Sequence, residues 1–171
     1  MAERELAALL ERVRDCRVCE DALGFAPRPI VQAGSGARLL IVGQAPGSKV
    51  HASGSPWDDD SGDRLRGWLG LDKGAFYDAD RVALVPMGLC YPGKAGGGDL
   101  PPRPECAPLW HSRLLAHMTQ IEPTSLIGGH AQARFPRDVD HASVTATTLD
   151  CRTHEPRIVP MWDPSQRNVA Q

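Results

Sequence analysis

The sequence predicts an α/β protein: a three-layer αβα sandwich around a central, mostly parallel four-stranded sheet. Two observations point there. Four short apolar, β-favouring runs recur at 38–42, 82–85, 125–127 and 157–161, each leading into a loop that carries Gly or Pro. Between them lie segments whose apolar residues repeat at helical spacing. Strands that alternate with helices place a parallel sheet between two helical layers. With 171 residues, no internal repeat and no linker-like stretch, the chain reads as a single domain over 1–171.

Bulk properties narrow the function. A formal net charge of −2 argues against a non-specific polyanion binder, so any nucleic-acid contact must use a local patch. The N-terminal Met1-Ala2-Glu3-Arg4-Glu5 is charged and lacks the apolar core of a signal peptide, and no apolar run approaches membrane-spanning length. The expectation is a soluble cytoplasmic protein with no membrane partner. Five cysteines in that compartment are thiols or metal ligands rather than a disulfide set. The 17 glycines and 15 prolines favour long, shaped loops.

Taken in order, residues 2–14 read as a helix, with Leu6, Leu9, Leu10 and Val13 on one face. It runs into Cys16-Arg17-Val18-Cys19, and Phe25-Ala26-Pro27-Arg28-Pro29 is an irregular connector. Leu39-Leu40-Ile41-Val42 is a continuous apolar strand, of the kind buried on both faces. It enters Gly43-Gln44-Ala45-Pro46-Gly47, whose glycines permit close backbone approach to a ligand and whose proline stiffens the turn. Open α/β sheets place their sites in such loops, at the carboxyl ends of central strands.

Residues 48–62 read as a long polar loop holding Lys49, His51, Trp57 and the run Asp58-Asp59-Asp60. A short helix over 63–71 follows, then the strand 82–85 ending in Pro86-Met87-Gly88-Leu89-Cys90. Residues 91–104 read as loop throughout, and 105–118 as a helix with Leu109, Leu114, Leu115 and Met118 on its apolar face. The strand at 125–127 enters a Gly turn before His130, a helical turn spans 131–135, and 144–148 is weakly β-favouring. The last strand, Arg157 to Met161, leads into Trp162-Asp163-Pro164-Ser165-Gln166-Arg167.

Cys16 and Cys19 form a C-x2-C pair, and fifteen residues separate Cys90 from Cys106. Two separated pairs suit a metal or iron–sulfur centre; four thiolates hold zinc or a [4Fe–4S] cube, and spacing does not choose between them. Buried apolar thiols are the plainer alternative. Cys151 is a spare.

Together these residues resemble the uracil-DNA glycosylase superfamily, and within it the iron–sulfur branch of bacteria and archaea. The Gly-x-x-Pro-Gly loop of that family is matched by Gly43-Gln44-Ala45-Pro46-Gly47, and its His-Pro-Ser motif in part by Asp163-Pro164-Ser165. The four-cysteine pattern is matched by Cys16, Cys19, Cys90 and Cys106, and an acidic T-G-D-x-S-G-D segment by 58–63. The resemblance implies a base-excision repair enzyme that hydrolyses the N-glycosidic bond of uracil or another deaminated base in single- or double-stranded DNA, acting as a monomer. It implies a structural [4Fe–4S] cluster on those four cysteines, with zinc as the alternative. It makes Asp59 the water-activating carboxylate and the 43–47 backbone the partner of the base's O2. Trp57 is the face for the extruded base, although large aromatics also serve plain packing. Ser165 lines the second motif, and Arg167 sits where relatives insert a wedge into the duplex.

The departures from the family are as informative. Asp163 stands at the position of the catalytic histidine, where a carboxylate repels a developing anion. Pro86-Met87 occupies the place of the asparagine that reads uracil's edge. Relatives also continue into a C-terminal helix, so the resemblance implies a missing C-terminal element. A weakened enzyme and a catalytically dead nucleic-acid-binding member of the same fold are the two readings that follow. A zinc-bound α/β hydrolase or redox protein unrelated to DNA is the third.

Overall fold

A computed structural model describes residues 2–134 and 158–165 of the chain. Its centre is a four-stranded sheet made of β1 (Leu39–Val42), β2 (Val82–Leu84), β5 (Thr124–Ile127) and β6 (Ile158–Met161), in the spatial order β2-β1-β5-β6. Every pairing is parallel, with Ile41 opposite both Leu84 and Ser125, and Ser125 opposite Val159. The expected four strands are therefore present, and the sheet is parallel throughout.

Alternation along the strands sorts the core onto two faces. Leu40, Val42, Ala83 and Leu126 point into one cluster, and Ile41, Val82, Leu84 and Ile127 into the other. The first cluster is closed by α1 (Ala2–Arg14) and α6 (Cys106–Leu115). From α1 it takes the expected apolar stripe, Leu6, Leu9, Leu10 and Val13, and from α6 it takes Cys106, Ala107, Trp110 and Leu114. The second is closed by α4 (Asp60–Leu69) and α5 (Lys73–Phe76), through Leu65 and Phe76. Both sheet faces are thus covered, which is why β1 and β2 read as unbroken apolar runs rather than alternating ones. Gln32 covers the outer edge of β2: its backbone exchanges two hydrogen bonds with Leu84, at 3.0 and 2.8 Å.

Short elements that carry no apolar period depart from the expectation. Within 48–62, expected to be loop, Ser48–Ser53 forms α3. The next helix, α4, begins at Asp60 rather than Asp63 because Asp59 caps it. A further short helix, α2 (Glu20–Leu23), follows the first cysteine pair. The 91–104 stretch is not loop throughout: β3 (Lys94–Ala95) and β4 (Gly98–Asp99) form an antiparallel hairpin. Its turn is Gly96-Gly97, at φ of 57° and 86°, the left-handed geometry that tight hairpins require. Helix α7 (Gly128–Arg134) follows β5. The weak strand at 144–148, Cys151, Gln166 and Arg167 lie outside the described residues.

Arg66 ties α4 to the rest of this layer. It is only 5% exposed. Its guanidinium donates to the Trp57 carbonyl and the Tyr77 hydroxyl, both at 3.2 Å, pairs with Asp63, and lies 5.2 Å over the Phe76 ring. Arg66→Ala leaves those acceptors unserved inside the fold. It is expected to cost about 2–3 kcal/mol and to lower Tm by roughly 4–12 °C in thermal denaturation.

Candidate active site

The carboxyl ends of the strands open into a cleft of about 470 Å³. The Gly43–Gly47 loop forms one side, and Ile127 together with Asp163 and Ser165 another. Pro56, Trp57, Asp59 and Ser61 contribute from the α4 side, and Lys94, Gly98 and Asp99 from the hairpin. This is the location that parallel α/β topology dictates.

The loop is fastened from behind. The Gly43 and Gln44 carbonyls accept from the Met87 and Gly88 N–H groups, each at 2.9 Å. Gly47 accepts from the His51 N–H at 2.8 Å as α3 begins. Gly43 is required by close approach, since a Cβ there would lie 2.7 Å from Cζ2 of the Trp57 ring. The ring therefore rests on the loop's bare backbone.

Trp57 is held in an unfavourable conformation to do so. Its φ is 58°, a left-handed value and the sole positive φ of a non-glycine among the described residues. A bulky side chain adopts this region only when its surroundings impose it. Arg66 grips its carbonyl from one side, and Gly62 lies so close that a Cβ there would run into the same oxygen. Trp57 packs against the Ile41–Phe76 cluster and also lines the cleft.

Asp59 is half-buried at the start of α4. Oδ1 accepts from the Gly62 N–H at 2.9 Å, which caps the helix. Oδ2 lies 3.9 Å from where a Cβ on Gly47 would stand, so the second oxygen reaches the loop. Across the cleft, Asp163 Oδ1 accepts from the Ser165 N–H at 2.8 Å. Asp163 Oδ2 lies 3.6 Å from the position of a Cβ on Gly128, whose φ of 77° forms the turn out of β5. Arg64, on α4, donates from Nε to the Pro164 carbonyl at 2.7 Å and so joins the helix that Asp59 caps to the Asp163–Ser165 wall.

The cleft brings together the Gly43–Gly47 loop, Trp57, Asp59, Asp163 and Ser165, all named from the sequence. Met87 is elsewhere: it is 8% exposed in the core cluster with Leu89 and Trp110, and its neighbour Pro86 lines the cleft instead. Three polar lining residues lay outside the expected site: Lys94, Asp99 and Ser61. The readable signal for the first two was the Gly96-Gly97 pair between them, a two-residue hairpin turn.

The four expected ligand cysteines are all free thiols; Cys106 is buried and the other three are half-buried. Cys106 Sγ accepts from the Leu89 N–H at 3.3 Å. Burial pushes the Cys106 thiol up to about 12 and the Cys90 thiol up to about 11; both also sense the charges of Cys16 and Cys19. The Cys19 thiol is raised by burial and then by Glu105. In kind and number the four thiols fit a zinc or cluster site. Among the described residues, however, no three His, Cys, Asp or Glu side chains are gathered closely enough to hold an ion as they stand.

A doubly covered parallel sheet with a Gly-Pro loop, an aromatic side chain and carboxylates at the carboxyl ends of its strands defines an α/β protein with a cleft at that edge. Residues 31–171 match the family model described as the Uracil DNA glycosylase superfamily. The chain belongs to that superfamily. Among the described residues, no helix is long and apolar enough to cross a membrane.

Proposed function

We propose that the protein is a DNA glycosylase that hydrolyses the N-glycosidic bond of a damaged base, with uracil or another deaminated base as the expected substrate. The observation that carries this reading is the meeting of the Trp57 ring, the Gly43–Gly47 loop and Asp59 in one cleft, in a chain of this superfamily. A base is unreachable for such chemistry inside a duplex, so it is extruded and stacked on an aromatic face; Trp57 supplies that face. Asp59 Oδ2 orients the water that attacks C1′, and backbone N–H groups of the loop receive O2 of the departing base. Asp163 and Ser165 form the wall opposite.

Purified protein incubated with oligonucleotides carrying a single uracil, hypoxanthine or xanthine, single- and double-stranded, is expected to yield abasic product. A second reading is favoured by Asp163, whose carboxylate opposes a developing anion. It makes the chain a non-catalytic nucleic-acid binder, with salt-dependent oligonucleotide binding and no abasic product at stoichiometric protein.

We further propose that Cys16, Cys19, Cys90 and Cys106 hold a [4Fe–4S] cluster that clamps the segment after α1 to the 90–106 stretch, the arrangement of the iron–sulfur branch. Support comes from the Cys106 thiol, which senses Cys90, Cys19 and Cys16, and from the Leu89 N–H directed at it, the kind of hydrogen bond that tunes cluster sulfurs. The protein is then expected to be brown, to absorb near 400 nm and to contain about four iron atoms per chain. Cys106→Ser is expected to abolish the colour and lower Tm. Zinc, or no metal, on elemental analysis contradicts the cluster.

A further inference from the structure

We propose that the cleft selects a positively charged base, an N-alkylated purine of the 7-methylguanine type, over a neutral deaminated one. This rests on the glycosylase reading of the same cleft and names its substrate class.

The site is defined by its shape and by the Trp57 ring; its charge is a separate observation. Among the described lining residues, one is a cation, Lys94, and three are carboxylates, Asp59, Asp99 and Asp163. They come from three different elements: the cap of α4, the hairpin strand β4, and the segment after β6. The hairpin brings Asp99 Oδ2 to 3.7 Å, and α4 brings Asp59 Oδ2 to 3.9 Å, of the place a Cβ on Gly47 would occupy. Two separate walls therefore present a carboxylate oxygen to the same loop residue. No described side chain forms an ion pair or hydrogen bond with Asp99.

The sign of the leaving group decides what such a cleft promotes. When uracil leaves, the electron pair of the C1′–N1 bond passes to the ring, and the base departs as an anion. Carboxylates around it oppose that charge. When a 7-alkylguanine leaves, the pair of the C1′–N9 bond neutralises the cationic ring, and the base departs neutral. The water oxygen bonds to C1′, and its proton passes to Asp59. Here the carboxylates favour the bound cation and the positive charge developing on the sugar, and no acid or anion-binding donor is required on the Asp163 side. The Trp57 face attracts a cationic ring more strongly than a neutral one. A cleft of about 470 Å³ also has room for a two-ring base.

The test uses the full chain on duplexes carrying a single 7-methylguanine or a single uracil. Abasic sites are counted with an aldehyde-reactive probe, and spontaneous base loss is subtracted. We expect 7-methylguanine to be removed at least about tenfold faster than uracil. Asp99→Asn is expected to slow 7-methylguanine removal about tenfold more than it slows uracil removal. Faster removal of uracil overturns the proposal, as does equal slowing of both bases, or of neither, in D99N. Removal of a deaminated base without removal of 7-methylguanine overturns the proposal while the glycosylase reading stands; removal of no base overturns both.

Discussion

Gly62→Ala is expected to be among the most damaging single substitutions on α4. A Cβ at this position runs into the Trp57 carbonyl oxygen, and Trp57 Cβ would be only 3.0 Å away. The obstacle is backbone, so no side-chain rotation relieves it. Either the 57–59 segment shifts, breaking the Arg66 and Asp59 hydrogen bonds, or the helix start unwinds. The cost is about 3 kcal/mol, read as a fall in Tm of roughly 6–12 °C. Activity is expected to fall further than stability, because the displaced segment carries both the aromatic wall and the carboxylate. Gly67→Ala, one and a half turns along the same helix, is the control. A Cβ there meets nothing within 4 Å, so replacing glycine stabilises by about 0.5–1 kcal/mol through helix propensity alone. Opposite signs on one helix separate steric conflict from propensity.

The second large effect is at Asp59, whose two oxygens serve two purposes. One caps α4 through the Gly62 N–H, and the other reaches the Gly47 loop. Asparagine caps a helix about as well as aspartate but is a poor base. Asp59→Asn is therefore expected to reduce base excision by about 100-fold or more with Tm unchanged. Asp59→Ala is expected to lose the same activity and also about 1 kcal/mol of capping, a further roughly 2–4 °C in Tm. Equal activity in D59N and wild type removes Asp59 from the chemistry and leaves it a cap.

How much of this was legible in the sequence follows from what each residue signals. Leu39–Val42 announces itself because burial on both faces leaves no polar interruption. The α1 stripe is equally plain, since a surface helix must repeat its apolar residues at helical spacing. Elements of two to six residues carry no such period. Ser48–Ser53 and the 94–99 hairpin are polar, and tertiary context makes them structure. The hairpin was a consequential loss, because Lys94 and Asp99 enter the cleft only through it. Met87 was a different kind of miss. The chain leaves β2 with Pro86 lining the cleft and Met87 turned into the core, a parity that sequence position does not reveal. Nor does the sequence disclose that Gly43 is glycine on account of the Trp57 ring, a contact fourteen positions away.

Asp163 is held in place by its own segment. Its Oδ1 is held by the Ser165 N–H, and the wall that carries it is fastened to α4 by the Arg64–Pro164 hydrogen bond. Asp163→His exchanges a carboxylate for a group able to stabilise a departing anion, and it is expected to raise uracil excision at least about tenfold. Base excision by this variant would locate the difference from an efficient uracil enzyme at one side chain.

The central claim is that this cleft breaks N-glycosidic bonds. It is tested most directly by single-turnover incubation of wild type and Asp59→Asn with oligonucleotides bearing one uracil, hypoxanthine, xanthine or 7-methylguanine, followed by counting of abasic sites. The account predicts abasic product from at least one damaged base with wild type, and its loss in D59N at unchanged Tm. No abasic product from any of the four bases at stoichiometric wild-type protein would contradict it.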